Sequence, residues 1–193
     1  MLPNTQCFEV TKRSARPIRS LQGVTGLNAM RGTAFIEDPA NPGIAKLADG
    51  TLPIAGFITR PAQVGGPTIA DAILPNRVEL PFADTDYQSF EPAEEVQAEG
   101  YGANAILGAT VAGQAVVGGA FLYSATGANA GLTITGSTAT GTKVSFRNGQ
   151  FSVAQAEDVA EYYLAQILPP ARPDLNTFRC RFVLLTGIAN TLI

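Results

Sequence analysis

Short stretches of this chain place apolar residues at every second position, and clusters of Pro, Gly, Asn and Asp separate them. That is the pattern of half-buried strands joined by turns. RGTAFIED followed by PANPG predicts a strand that ends in a turn. KLADGTLPIAGFITR predicts a hairpin about Asp49-Gly50, with Ile54, Phe57 and Ile58 available for burial. NRVELPF sets Val78, Leu80 and Phe82 on one face and Glu79 on the other. VSFRNGQFSV has two β-rich arms around Asn148-Gly149, the pair that most readily supplies the two positive φ angles of a type I′ turn. Near the end, FRCRFVLL alternates Phe178, Cys180 and Phe182 inward with Arg179 and Arg181 outward.

Two segments resist this reading. In AQAEDVAEYYLAQIL, the residues Ala156, Val159 or Ala160, Tyr163 and Ile167 fit a helical stripe. Tyr163, Ala165 and Ile167 equally fit a strand that could pair with FRCRFVLL across PPARPDLNT. A turn of helix passing into a strand is expected. The second segment is uncharged from Gly100 to Thr142, and its most apolar part, AILGATVAGQAVVGGAFLY, is long enough to be weighed as a membrane span. Gly108, Gly113, Gly118 and Gly119 interrupt it, Gln114 sits at its middle, and no Lys or Arg flanks it, so short strands joined by Gly turns are expected and a span is not. The fold class that follows is mainly β: a single β-sandwich or barrel-like domain with an extended N-terminal arm and at most one short helix.

Charge supplies the arm. Residues 1–31 hold Lys12, Arg13, Arg16, Arg19 and Arg31 against Glu9 alone, a net of +4, whereas the whole chain of 193 residues carries −3. Phe8, Val10, Ile18, Leu21, Val24 and Leu27 follow neither period, and Pro3, Pro17, Gly23 and Gly26 interrupt them. Residues 1–31 therefore read as an extended basic arm, poorly ordered alone, on a β-rich body of residues 32–193. TKRSARPIRS is either an electrostatic anchor for an acidic partner or a solvated tail. A nucleic-acid partner is not expected, because no aromatics interleave the cations and the acidic body would repel phosphate. Seven acids fall between Glu79 and Glu99, and DTDYQSFEPAEE, lacking the Gly and ligand spacing of a calcium loop, reads as a solvated acidic loop. Only 15% of residues are charged, against roughly 25% in an average soluble domain, so much of the surface must be neutral.

The chemistry that the residues exclude is broad. Without histidine there is no usual base for a serine or cysteine triad, no imidazole ligand and no imidazole switch. Cys7 and Cys180, far apart and outside any CxxC spacing, suggest two buried reduced thiols, and no metal site or cofactor is expected. GSTATGTK resembles a phosphate-binding loop, but Thr142 and Lys143 stand in the wrong order and a strand follows where a helix is required. Glu91, Glu94, Glu95 and Glu99 could furnish the paired acids of a glycosidase, yet the chain has no Trp on which to stack a sugar. No catalytic residue is assigned and no small-molecule substrate is expected. MLPNTQCFEV lacks the apolar core of a signal peptide, so synthesis in the cytoplasm is expected.

Taken in order, GTAFIEDPANPGIAKLADGTLPIAGFITR, then AVVGGAFLYSATGANAGLTI, VSFRNGQFSV, AEYYLAQILP and FRCRFVLLTG resemble the decoration, or cement, proteins on the heads of tailed bacteriophages. The resemblance implies a non-catalytic virion protein on the capsid exterior, often trimeric, whose partners are the major capsid protein and other copies of itself. It also implies a terminal arm reaching over neighbouring subunits. On that reading Lys12, Arg13, Arg16 and Arg19 anchor the arm, and Phe8, Val10 and Ile18 dock into apolar grooves of the capsid. The alternatives are another phage virion component, such as a tail or fibre-base protein, and a carbohydrate-binding or glycan-cleaving β module.

Overall fold

A computed structural model describes residues 8–23, 28–29, 31–59, 62–63, 87–101, 121–123, 127–169 and 177–185. It is mainly β, as the alternation predicts. The strands are β1 (Phe8–Arg13), β2 (Arg19–Gly23), β3 (Asn28–Ala29), β4 (Ala34–Glu37), β5 (Ile44–Leu47), β6 (Gly56–Ile58), β7 (Ala62–Gln63), β8 (Tyr87–Glu91), β9 (Ala93–Tyr101), β10 (Lys143–Arg147), β11 (Gln150–Val153), β12 (Tyr162–Leu168) and β13 (Thr177–Leu184). The one helix among the described residues is a short 3-10 element, Gly127–Leu132, in the uncharged segment.

Two β bodies share these strands. One is a six-stranded antiparallel sheet in the order β1-β9-β13-β12-β10-β11; the other is a closed barrel, β2-β5-β4-β6-β8. The sheet curls until its ends meet. Residues 121–123 continue it beyond β11, where Phe151 N–H donates to Phe121 O at 2.7 Å and Tyr123 N–H to Phe151 O at 2.8 Å. The Phe8 ring of β1 then lies 5.3 Å from that of Phe121. The barrel is filled by Leu21, Phe35, Ala45, Ile58 and Phe90.

Alternation along β4 and β6 joins the bodies. Phe35 and Ile58 point into the barrel, while Ala34, Ile36 and Phe57 point out and pack with Val96, Val144, Phe146, Phe151, Tyr162 and Phe182 in the larger core. Both faces of β4 are thus buried, which is why AFI reads as a continuous apolar run.

Several expectations change. The two-residue turn at Asn148-Gly149 is present, with Arg147 opposite Gln150 and φ of 52° and 75°. The expected Asp49-Gly50 hairpin is not: β5 pairs with β4 across the PANPG turn, and β4 lies between β5 and β6. The Asp49-Gly50 turn instead carries the chain over β4. DTDYQSFEPAEE is no solvated loop in its described part, because YQSFE forms β8 and buries Gln88 and Phe90 by simple alternation. Residues 155–161 form no helix. Strand β12 does pair with β13, but Tyr162 and Leu164 face the core, not Tyr163 and Ala165. A register shift between Leu164 and Gln166 then returns Ile167 to the core side, so Tyr163 and Ile167, which fit one helical stripe, lie on opposite faces of the strand. NRVELPF and most of AILGATVAGQAVVGGAFLY lie outside the described residues.

Candidate functional site

The N-terminal segment is the candidate, and its described residues do not project from the body. Strand β1 closes one side of the sheet against β9, with Phe8 opposite Ala98 and Val10 opposite Val96. Strand β2 completes the barrel, antiparallel to β8 and parallel to β5. Two links therefore cross from one body to the other, residues 14–18 and Pro92, and they lie side by side: Ser14 N–H donates to Pro92 O at 3.1 Å. A segment with no regular apolar period can still form strands when its few apolar residues meet ready-made sockets. Phe8 sits between Phe57, at 5.1 Å, and Phe121. Beneath its ring is Gly32, at φ +92°, where a Cβ would overlap the ring atoms.

The seven residues expected to bind a partner accordingly divide. Phe8 and Val10 are partly buried and pack against this chain's own larger core. Ile18 is 60% exposed. Each cation meets its own carboxylate: Lys12 with Glu94 at 2.6 Å, Arg13 with Glu91 at 2.5 Å, Arg16 with Glu161 at 3.3 Å and Arg19 with Glu37 at 2.6 Å. Hydrogen bonding to Glu94, and then its charge, raises the Lys12 pKa. The cations do not converge on one point; they pin the segment at successive positions, with their side chains still half or more exposed. Exposed pairs of this kind contribute about 0–1 kcal/mol each. The match between the basic segment and the acidic stretch that becomes β8 and β9 is the signal that points to Glu91 and Glu94; Glu37, on β4, and Glu161, just before β12, carry no such signal.

Glu161 differs from the other three because it is buried. One carboxylate oxygen accepts Ile54 N–H at 2.5 Å and the other faces Arg16. Burial raises its pKa above the ordinary 4.5, against the opposing pull of the Ile54 amide and Arg16. Next to it Tyr162 donates its hydroxyl to Ala93 O at 2.7 Å, and burial also pushes the phenol upward. A cleft of about 10 Å³ lies here, lined by Ser14, Arg16, Ile54, Pro92, Ala93, Tyr162 and Leu184, with room for about one water molecule. A carboxyl whose pKa rises on folding stabilises the fold fully below its unfolded value, and this contribution is lost as pH climbs through the raised value. The stability of Glu161→Gln, measured by denaturant titration across that range, is therefore expected to lack a decline that the wild type shows from about pH 4.5 upward. Parallel profiles would show that Glu161 does not titrate in this way.

The remaining candidates are structural. Cys180 is a buried free thiol whose pKa burial pushes up to about 12, which leaves it unreactive at neutral pH; Cys7 lies outside the described residues. Residues 136–142 form successive turns, Thr142 Oγ1 donates to Ala139 O at 2.6 Å, and Lys143 opens β10, so no helix N-terminus faces the GSTATGTK loop. Glu94 and Glu95 face Lys12, Thr11 and Arg181 across the strands, and Glu99 is buried. Among the described residues no group of His, Cys, Asp or Glu is placed to hold a metal ion, and no helix is long and apolar enough to cross a membrane. The chain matches no known protein family, and no curated protein or solved structure is significantly similar to it.

Proposed function

We propose that this chain is a non-catalytic virion protein that binds the outer surface of a tailed-phage capsid as a decoration protein, assembling there as a homotrimer on the major capsid protein. The observation that carries the reading is the order of elements: strand, small-residue turn and strand at β4–β5, a Gly-rich stretch, the β10–β11 hairpin and the paired strands β12 and β13. This is the order that the quoted segments share with such proteins. The low charge of the chain, 15% of its residues, leaves neutral surface for contacts between copies. The contact with the capsid is correspondingly a surface of the folded body, edged by the outward heads of Lys12, Arg13, Arg16 and Arg19, and not a free arm.

Incubating the protein with expanded, empty heads and sedimenting them tests this. Saturable occupancy that weakens as salt rises is expected, since exposed charges are screened. Failure to bind heads, together with retention on polysaccharide, would replace the proposal with the carbohydrate-binding alternative.

A further inference from the structure

The sequence contains one Asn-Gly pair, and the fold places it where the sheet meets the barrel. Asn148 is exposed at φ 52°, the one non-glycine residue at positive φ among the described residues, and Gly149 behind it is buried. Gly149 N–H donates to Ala48 O at 2.8 Å, and Gly149 O accepts Ala34 N–H at 2.9 Å, so the tip of the β10–β11 hairpin is bonded from both sides into the barrel. A Cβ at Gly149 would overlap the Thr33 methyl and come within 2.9 Å of Ala34 O; the socket has no spare room. The neighbouring Arg147 braces the same junction. Its guanidinium donates to Asp49 O at 3.0 Å and to both Asp158 oxygens, at 2.7 and 2.9 Å, while Val159 N–H donates to Gly50 O at 2.8 Å.

An asparagine followed by glycine is the sequence in which the next backbone nitrogen meets least steric resistance on attacking the side-chain carbonyl, because glycine has no Cβ. We propose that Asn148 is a site of spontaneous deamidation that docking of the hairpin holds in check, and that the isoaspartyl product, once made, prevents the hairpin from docking again. In the reaction Gly149 N loses its proton and bonds to Asn148 Cγ. The Cγ–nitrogen bond of the amide breaks, ammonia leaves, and a five-membered imide remains. Water then opens the imide at either carbonyl, giving an aspartyl or an isoaspartyl linkage at position 148. In the folded chain the attacking nitrogen is occupied, since its proton is donated to Ala48 O and the residue is fixed on both sides. Attack requires this junction to open, so the rate follows the population of the open form. The isoaspartyl product carries an additional main-chain carbon in a two-residue turn. Gly149 can then no longer meet Ala48 O and Ala34 N together in a socket too tight for a methyl group. The mark therefore accumulates on molecules that have opened at the junction and keeps them open.

The test follows isoaspartate at position 148 by peptide mass spectrometry in the full-length chain held in warm, mildly alkaline buffer. The folded protein is expected to react at least about tenfold more slowly than the same chain in denaturant, a ratio set by the opening equilibrium. Arg147→Ala leaves the Asn-Gly pair intact and loosens the brace, so its rate should rise several-fold while the protein stays folded. Should that variant not fold, low urea applied to the wild type must raise the rate in parallel with hydrogen exchange at Gly149 N–H. Equal rates in the folded and denatured chains would overturn the gating, as would a folded Arg147→Ala protein that reacts at the wild-type rate. The isolated isoaspartyl protein is expected to lose exchange protection at Gly149 and to unfold at lower denaturant. An unchanged midpoint and unchanged protection would overturn the second half of the proposal.

Discussion

A chain lacking residues 1–20 is expected to lose its cooperative unfolding transition, and not merely a tail. The deletion removes all of β1 and the first two residues of β2. On the sheet side, β9 loses the partner of Ala93, Val96 and Ala98, and the socket formed by Phe57, Phe121 and Gly32 loses the Phe8 ring. Truncating a fully buried Phe to Ala costs about 3–5 kcal/mol, and loss of the partly buried Phe8 adds a share of that to the lost strand pairing, against the 5–15 kcal/mol that stabilises a typical domain. On the barrel side, Arg19 and Ser20 are two of the four residues with which β2 pairs to β8, so the barrel opens where it closes. Circular dichroism during heating of the full-length and truncated chains measures the outcome. A truncated protein that keeps its β signal and a sharp transition would mean that the segment is dispensable. Capsid occupancy of such a protein would then have to be reconsidered as a property of the body alone.

The features that were legible in the sequence are those set by neighbours along the chain. Alternation in FRCRFVLL placed Phe178, Cys180 and Phe182 in the core, and the backbone demands of a two-residue turn placed Asn148-Gly149. The features that were not legible depend on partners distant in sequence. Nothing local in FEVTKR says that it pairs with residues 93–98, because edge strands need only one apolar face and this one has two residues on it, Phe8 and Val10. The acidic stretch was misread for the complementary reason. Its Glu91 and Glu94 look solvated until Arg13 and Lys12 of β1 are laid against them. At Asp49-Gly50 a strong turn signal was read as a hairpin, but turn chemistry specifies a reversal of direction and not which strand lies next to which. At the candidate site, charge points to Lys12, Arg13, Arg16 and Arg19, and the carboxylates that they meet lie far away in sequence within the same chain.

The single side chain on which the two bodies depend most is Phe57, and Phe57→Ala is expected to cost about 3–5 kcal/mol. Phe57 belongs to barrel strand β6, yet its ring points away from the barrel interior and is 1% exposed. It meets Phe8 at 5.1 Å, Phe151 at 5.6 Å, Phe146 at 6.0 Å and Tyr162 at 6.1 Å. It thus joins β1, β10, β11 and β12 of the sheet to the barrel, and the cavity left by its removal has walls contributed by both bodies. Rigid walls of that kind collapse poorly, which places the loss toward the upper end of the range. Phe35, equally buried inside the barrel and tilted against Phe90 at 4.9 Å, serves as the comparison. Its truncation should cost a similar amount, but only Phe57 should couple to Phe8. Aromatic pairs contribute about 0.5–1.5 kcal/mol beyond their burial, so the cycle of Phe8→Ala and Phe57→Ala should be non-additive by that order. The cycle of Phe8→Ala with Phe35→Ala should add within about 0.5 kcal/mol. Equilibrium denaturation of the six proteins measures both cycles. Additivity between Phe8 and Phe57, or a Phe57→Ala loss below about 1 kcal/mol, would show that the barrel and the sheet are held together elsewhere.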